Sequence, residues 1–437
     1  MQRKVFYALL GLFLIKCILG SVIPLFADES YYYIWSLFPR LSYYDHPGMV
    51  SWLIYGGREI LRIPNPLAVR FFFILVGTGT LFIWIKILKI KQVTEKNWHY
   101  FIVLFCLNPL LGIGSILATP DVPLVFFWSL AYFFFLLSLE NKKLRNYFFL
   151  GASLGLGFCS KYHIVLFILG GIASFFFNNS FKKIRPLGVF MTLLGGIIFS
   201  MPVLVWNYQN EWVSFLFQLH HGFGRSYYNF DWTWSYILGQ ILILSPLVFY
   251  GLIRHQKKSI DLTFAASQLL FFITSTFKSV VEANWPVTSQ PHALAHFVDA
   301  AEIKQFRWTI YYWLAIYLVV VAILVSPFSS QIKNQLSSSD ISVLVPVALK
   351  YEPLYGPNYQ ISSLISWQSK KFVPKMAGFS RKDFFNDLAE SIPPKSKTFF
   401  VLKDQEVGWP ELLSSGRFEK LEVFEQLHLE LYKVIYE

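Results

Sequence analysis

Charge is scarce in this chain. Charged residues hold 15% of its 437 positions, well below the quarter or so that covers an ordinary soluble domain. Cysteine is nearly missing, and Cys17, Cys106 and Cys159 all fall inside apolar segments, which excludes a disulfide framework and a zinc motif. No small-x-small cleavage site follows the first apolar segment. Asp28 and Glu29 come at once, so that segment reads as a retained first span rather than a signal peptide. Tandem repeats and low-complexity tracts are lacking. So are paired inverted repeats, and this counts against a transporter or flippase of lipid-linked sugars, the rival explanation for charge at membrane depth. The net charge of +12 does not form a basic stripe. Lys and Arg are scattered through short loops, which excludes a nucleic-acid partner and marks topology instead.

What is abundant is apolar and aromatic surface, 55% and 19% of the chain. Apolar runs of about 20 residues recur, the length a helix needs to cross roughly 30 Å of hydrocarbon. These runs predict an α-helical polytopic membrane protein of about 11 spans, lying near 5–26, 66–90, 98–117, 122–139, 187–206, 233–253, 262–277, 285–302 and 308–328, with two short arms inside 147–177. The arms should meet near Ser160 to His163, placing Lys161 towards the outer half of the bilayer. A short interfacial helix is expected at 51–61. The bias of Lys and Arg places the N-terminus in the cytoplasm. From about residue 329 polar residues increase, and a small C-terminal α/β domain outside the cytoplasmic membrane is expected over 329–437, after a membrane domain over 1–328. Strands are expected at 341–348, 398–404 and 431–437, and a helix at 381–391.

Under this topology Asp28, Glu29, Asp45, His46, Asp121, Lys161, Glu282, His220 and His221 come from separate loops but share the outer face. Each also has a plain structural reading. Asp28, Glu29 and Asp121 suit helix N-termini, Asp45-His46-Pro47 suits an Asx-type turn, and Lys161 can snorkel. Glu282 and Asn284 can satisfy the backbone ahead of Pro286, and the histidines can be surface groups. As a set they suit group transfer from a lipid-borne phosphate. A carboxylate serves as general base, Lys and Arg neutralise the leaving phosphate, and a carboxylate pair can hold a divalent metal ion.

Six stretches carry a resemblance: D-E-S-Y-Y-Y, Y-Y-D-H-P-G-M-V-S-W, T-P-D-V-P-L, G-L-G-F-C-S-K-Y, V-E-A-N-W-P and, more weakly, Y-G-P-N-Y-Q-I-S-S-L. The first five fall in order within residues 1–290. Together they resemble the bacterial GT-C glycosyltransferases related to protein O-mannosyltransferases and the lipid A aminoarabinose transferase. The resemblance implies inverting transfer of a sugar from a polyprenyl-phosphate donor to a lipid, glycan or protein acceptor at the outer face of the cytoplasmic membrane. It implies Asp28 as the catalytic base with Glu29 in support, and Asp121 at the donor phosphate or, with Asp28, at a metal. Lys161, Arg225 and Lys278 are the expected phosphate-binding cations, and Tyr44, Asp45, His46, Glu282 and Asn284 the expected substrate-binding groups.

Overall fold

The computed structural model describes residues 2–178, 184–225, 227–254, 259–325, 337–391, 398–414 and 416–435. The basic residues at 182–183 and 257–258, used above to orient the loops, and the expected linker around 329 lie outside them. In chain order the helices are α1 (Gln2–Val22), α2 (Ala27–Leu37), α3 (Met49–Leu61), α4 (Pro66–Ile90), α5 (Glu95–Leu107), α6 (Asp121–Asn141), α7 (Leu144–Phe158), α8 (Phe167–Asn178), α9 (Pro186–Gln209) and α10 (Val213–Phe223). They continue with α11 (Phe230–Leu244), α12 (Pro246–Arg254), α13 (Ile260–Ser275), α14 (Ser289–Ala300), α15 (Ile303–Val325), α16 (Val345–Lys350) and α17 (Tyr359–Ser369). The strands are β1 (Leu354–Tyr355), β2 (Thr398–Asp404), β3 (Arg417–Phe424) and β4 (Leu429–Ile435).

The protein is a multi-pass membrane protein, and each of the eleven apolar segments coincides with a helix or a broken helix. Among the described residues α1, α4, α6, α9 and α15 are long and apolar enough to cross a membrane by themselves, and the bent pair α11–α12 makes a sixth. Three segments depart from the expected continuous span. The segment at 98–117 stops being helical at Leu107, because Asn108 precedes Pro109 and its Oδ1 accepts from the Leu110 and Leu111 N–H groups at 3.1 Å each, an Asx turn. The segment at 233–253 bends by 102° at Ser245, whose φ of 72° precedes Pro246. A proline keeps the residue before it out of the α region. The segment at 285–302 shortens to α14, of which residues 289–298 are all buried, so this helix is enclosed by its neighbours. The pair of short arms within 147–177 is present as α7 and α8, joined by a 3₁₀ turn over Tyr162–Leu166.

The chain groups into two compact units. The first holds Met1–Gly20, Leu41–Leu53 and Arg70–Ser329. Its core is built on Trp84, Trp128, Tyr132, Phe264 and Phe167 from α4, α6, α13 and α8, with α14 among them. Helices α7 and α9 cross at small residues. A Cβ on Gly151 would lie 1.9 Å from the Thr192 carbonyl oxygen, and one on Gly155 would lie 2.6 Å from that of Gly196. Backbone approach of this kind is the usual adhesive between helices in lipid, where apolar burial alone gives no drive.

The second unit holds Ser21–Arg40, Ile54–Val69 and Ser330–Glu437. It does not follow the expected linear division into 1–328 and 329–437, because two early segments belong with the late one. Its sheet has the order β1-β2-β4-β3, with β1 parallel to β2 and the other pairs antiparallel. Alternation along β2 sends Phe399 and Val401 to one face, with Met376, Leu413 and Val434. It sends Leu402 to the other, where Leu431, Ile341, Leu364 and Ala27 of α2 pack. Of the expected elements, 398–404 is β2, and 431–437 overlaps β4 as far as its described end. The stretch 341–348 is helical instead, since Pro346 at the first turn of α16 favours a helix start. The expected helix at 381–391 is two 3₁₀ turns, Phe384–Asp387 and Ala389–Ser391, started by an Asp383 cap.

Candidate functional site

Three loops of the first unit converge on one carboxylate. Asp121 opens α6 after Pro120. Its Oδ1 accepts from Lys161 Nζ at 2.8 Å and its Oδ2 from Asn284 Nδ2 at 2.6 Å. Lys161 reaches it because α7 ends at Phe158 and the chain turns through extended backbone at Lys161 into the following 3₁₀ turn. Asn284 lies in a run of turns ahead of α14, held where Gln240 Nε2 donates to the Ala283 carbonyl at 2.9 Å. The side chains of Lys161 and Asp121 are only 9% and 14% exposed, so the pair is a largely desolvated ion pair completed by an amide. Both oxygens of Asp121 are therefore occupied. Among the described residues no three His, Cys, Asp or Glu side chains gather in a group that could hold a metal ion. In this structure the Asp121 carboxylate is satisfied by an ammonium and an amide. Likewise Lys161, expected at the donor phosphate, spends its charge on Asp121.

A cavity of about 150 Å³ adjoins this cluster, lined by Asp121, Asn284, Thr119, Thr80, Gly77 and Ser115 together with Leu and Val side chains. A larger apolar cavity of about 410 Å³ has the residues that follow Lys161 and Asn284 in its wall. Its walls include Tyr162, His163, Phe215, Phe272 and Trp285.

The Tyr44-Asp45-His46 segment forms a closed turn, with Tyr43 N donating to the His46 carbonyl at 3.2 Å. It is tied to the corner that carries Lys161 by Met49 N donating to the Cys159 carbonyl at 3.0 Å. The Asp45 carbonyl accepts from Gln218 Nε2 at 2.5 Å, and the Tyr44 ring lies 4.7 Å from that of Phe217. Both partners are on α10, a helix that also carries His220 and His221, expected in a loop. On that helix His220 is exposed, and the side chain of His221 lies outside the described residues.

Arg225 and Lys278 are also brought together. Arg225 N donates to the Lys278 carbonyl at 3.3 Å, and the Arg225 guanidinium lies over Trp232, 4.8 Å from the ring centre. Both side chains are exposed, and neither meets a carboxylate among the described residues. Glu282 is exposed, and its carbonyl accepts from Trp285 N at 3.1 Å.

Asp28 and Glu29 belong to the second unit, in the first turn of α2. Glu29 is buried, and its Oε2 accepts from the Phe26 N–H at 3.1 Å. It caps its own helix, the plain reading of that residue. Asp28 is half-buried. Helix α2 is clamped by Arg58 of α3, whose guanidinium donates to the Ser36 carbonyl at 3.1 Å and lies over Tyr33.

The sequence reading missed a second buried cluster in the first unit. Trp128 Nε1 donates to His292 Nε2 at 2.8 Å, which leaves the ring hydrogen on Nδ1 to donate to Asp261 Oδ1 at 3.2 Å. Tyr132 donates to the same oxygen at 2.8 Å, and Lys91 pairs with the other. From sequence Asp261 resembles a helix-start acid and His292 an isolated histidine. Lys91 is, from sequence, one of the scattered loop charges.

Residues 45–206 match the family described as dolichyl-phosphate-mannose-protein mannosyltransferase. Over 323 residues, 71% of this chain and 67% of the relative, the protein is 21% identical to the lipid A galacturonosyltransferase RgtD of Rhizobium johnstonii. The whole fold is similar to ArnT from Cupriavidus metallidurans. The apo structure gives a TM-score of 0.71 at 12% identity, and the structure bound to undecaprenyl phosphate gives 0.68 at 11%. Each comparison covers 99% of this chain and 98% of the other.

Proposed function

We propose that this chain, a membrane glycosyltransferase of the GT-C type, moves a hexosyl or pentosyl group from a polyprenyl-phosphate donor to lipid A or a related envelope acceptor, with inversion at the anomeric carbon. The observation that carries the proposal is the meeting of T-P-D, S-K-Y and E-A-N-W at a single carboxylate. Three polar loops of an otherwise apolar chain have no structural need to converge there. The N-terminus is cytoplasmic, and the motif-bearing loops and the C-terminal segment face the outer side.

In the proposed reaction Asp28 takes the proton from the acceptor hydroxyl or phosphate oxygen. That oxygen forms the new bond to the anomeric carbon from the face opposite the donor phosphate. The old carbon–oxygen bond breaks, and its electron pair leaves with the polyprenyl phosphate. Arg225 and Lys278, adjacent and free of carboxylate partners among the described residues, supply the positive charge that the departing phosphate needs. Asp121 with Lys161 and Asn284 forms a fixed, charge-balanced wall, its dipoles set before substrate arrives. Tyr44, Asp45, His46 and Glu282 orient substrate, and Glu29 holds the start of α2. Transfer is metal-independent on this reading, and a chelator is expected to leave the rate unchanged. Dependence on an added divalent ion would instead require Asp121 to exchange its ammonium for a metal.

The test is transfer by the purified chain in lipid nanodiscs, followed by mass spectrometry of the acceptor. Asp28→Asn is expected to lose activity on the order of 10²–10⁴-fold, the usual worth of a general base, while still binding donor. Undiminished transfer by that variant would remove the base from the scheme.

A further inference from the structure

The second unit holds a buried ion pair that the scheme above does not use. The side chains of Lys375 and Asp383 are both fully buried, and Lys375 Nζ donates to Asp383 Oδ2 at 2.7 Å. It also donates to the Asn386 side-chain oxygen and to the Arg381 carbonyl, at 2.8 Å each. The three protons of the ammonium thus meet three acceptors, all from one short segment. A buried pair of this kind often adds little net stability over an apolar filling of the same size, so what it secures here is the shape of that segment.

The same segment hands one backbone group to α2. Asp383 N donates to Asn386 Oδ1 and Phe385 N to Asp383 Oδ1, at 3.0 Å each. Phe384 N, between them, donates instead to the Tyr31 hydroxyl at 2.9 Å. The Phe385 ring stacks on Tyr31 with centroids 6.1 Å apart, and Phe384 meets Trp35 one turn further along the helix. Just past the end of α2, Arg40 pairs with Asp387 at 3.2 Å. Tyr31 stands three residues after Asp28, so the two share a side of the helix. What holds Tyr31 therefore holds the roll of α2 about its axis. With side chains reaching roughly 5–6 Å from that axis, a roll of about 10° carries a carboxylate roughly 1 Å, an error that can cost on the order of 10²-fold in rate.

We propose that Lys375 is a positioning residue for the transfer reaction: by gathering Arg381, Asp383 and Asn386 it presents the Phe384 N–H to Tyr31, and through Tyr31 it sets the direction in which Asp28 meets the acceptor. This rests on the glycosyltransferase reading, with Asp28 as its base, and adds the device that aims that base. Lys375 is fully buried and acts without touching donor or acceptor. No bond or proton changes at it, and its ammonium stays paired throughout. The C-terminal segment is then part of the reacting apparatus rather than a separate binding module.

The test measures transfer from an undecaprenyl-phosphate sugar to lipid A by the full chain in lipid nanodiscs. Tyr31→Phe removes only the hydroxyl that takes the Phe384 N–H, and is expected to lower kcat about tenfold while changing KM for either substrate less than about twofold. Lys375→Met alone strands the Asp383 charge, so it is combined with Asp383→Leu, which keeps the site filled. That double variant should also lower kcat by about tenfold or more, at an unfolding temperature close to that of wild type. Introduced into Asp28→Asn, either change should cost less than about twofold further, because the base it aims is gone. Losses that multiply in that background, or a defect confined to KM, overturn the proposal. Undiminished transfer by Asp28→Asn removes the base and with it the reading on which the proposal rests. Full activity of Tyr31→Phe beside an inactive Asp28→Asn overturns the positioning alone. Amide hydrogen exchange needs no turnover. The double variant should speed exchange across residues 27–37 and leave β3 and β4 unchanged, and unaltered exchange over 27–37 overturns the link even if wild type transfers no sugar.

Discussion

At the scale of single residues, the pair formed by Lys161 and Asp121 has a measurable signature. Removing one partner of a largely buried ion pair strands the other charge, which typically costs about 3–5 kcal/mol. Lys161→Met should therefore lower the unfolding temperature of the detergent-solubilised protein sharply. Adding Asp121→Asn to it should restore much of the loss, because the stranded charge is gone. Equal and additive losses in the two single variants would mean that the groups do not interact. Asn284→Ala, which removes one donor from an oxygen that keeps its charge, should cost about 1–3 kcal/mol. The identity of these three residues was legible in the sequence because each is polar, sits beside Pro or between apolar runs, and has no reason to be at membrane depth. Their pairing was not legible, since a sequence gives the side of the membrane on which a loop emerges but not the rotamer that meets a neighbour. The same limit hid the Trp128–His292–Asp261 chain, where each member looks ordinary by itself.

At the scale of elements, the crossing of α7 and α9 depends on glycine more than on any large side chain. Gly151→Leu should force the two backbones apart and reduce folded yield, because a Cβ there already overlaps the Thr192 carbonyl. Substitution at Gly171, where a Cβ would meet nothing within 4 Å, should leave yield unchanged. Fluorescence-detected gel filtration of both variants separates these outcomes. Apolar composition located the helices well, because burying or immersing a run of about 20 residues is decided by the run itself. Where the chain breaks inside such a run is decided by one or two residues. Asn108 before Pro109 and Ser245 before Pro246 were readable as breaks, but the sum of hydropathy across them concealed the interruption. Strand β3 escaped for a different reason. Its residues Arg417 to Val423 are largely exposed, so it carries charge where alternation would have revealed it.

At the scale of the whole molecule, the proposed orientation places Thr119 and Glu282 outside and Lys96 and Asn141 inside. Cysteines introduced at these four positions in a chain lacking its three native thiols should divide two and two when intact cells are treated with a membrane-impermeant maleimide. Labelling of Thr119 and Glu282 on opposite sides would contradict the cluster that joins Asp121 and Asn284, two residues beyond each of them. The division of the chain into parts was the least legible feature, because composition changes once, near residue 329, whereas the compact units interleave. That interleaving bears on biosynthesis. The α2 helix that bears Asp28 is made before the residues that cover it: Tyr31 on it accepts from the Phe384 N–H, 353 residues later, and Ala27 packs with residues of β2 and β4. A chain interrupted before β2 therefore leaves α2 without part of its tertiary cover, and the turn that carries Asp28 is completed only after residues several hundred positions later are seated against it.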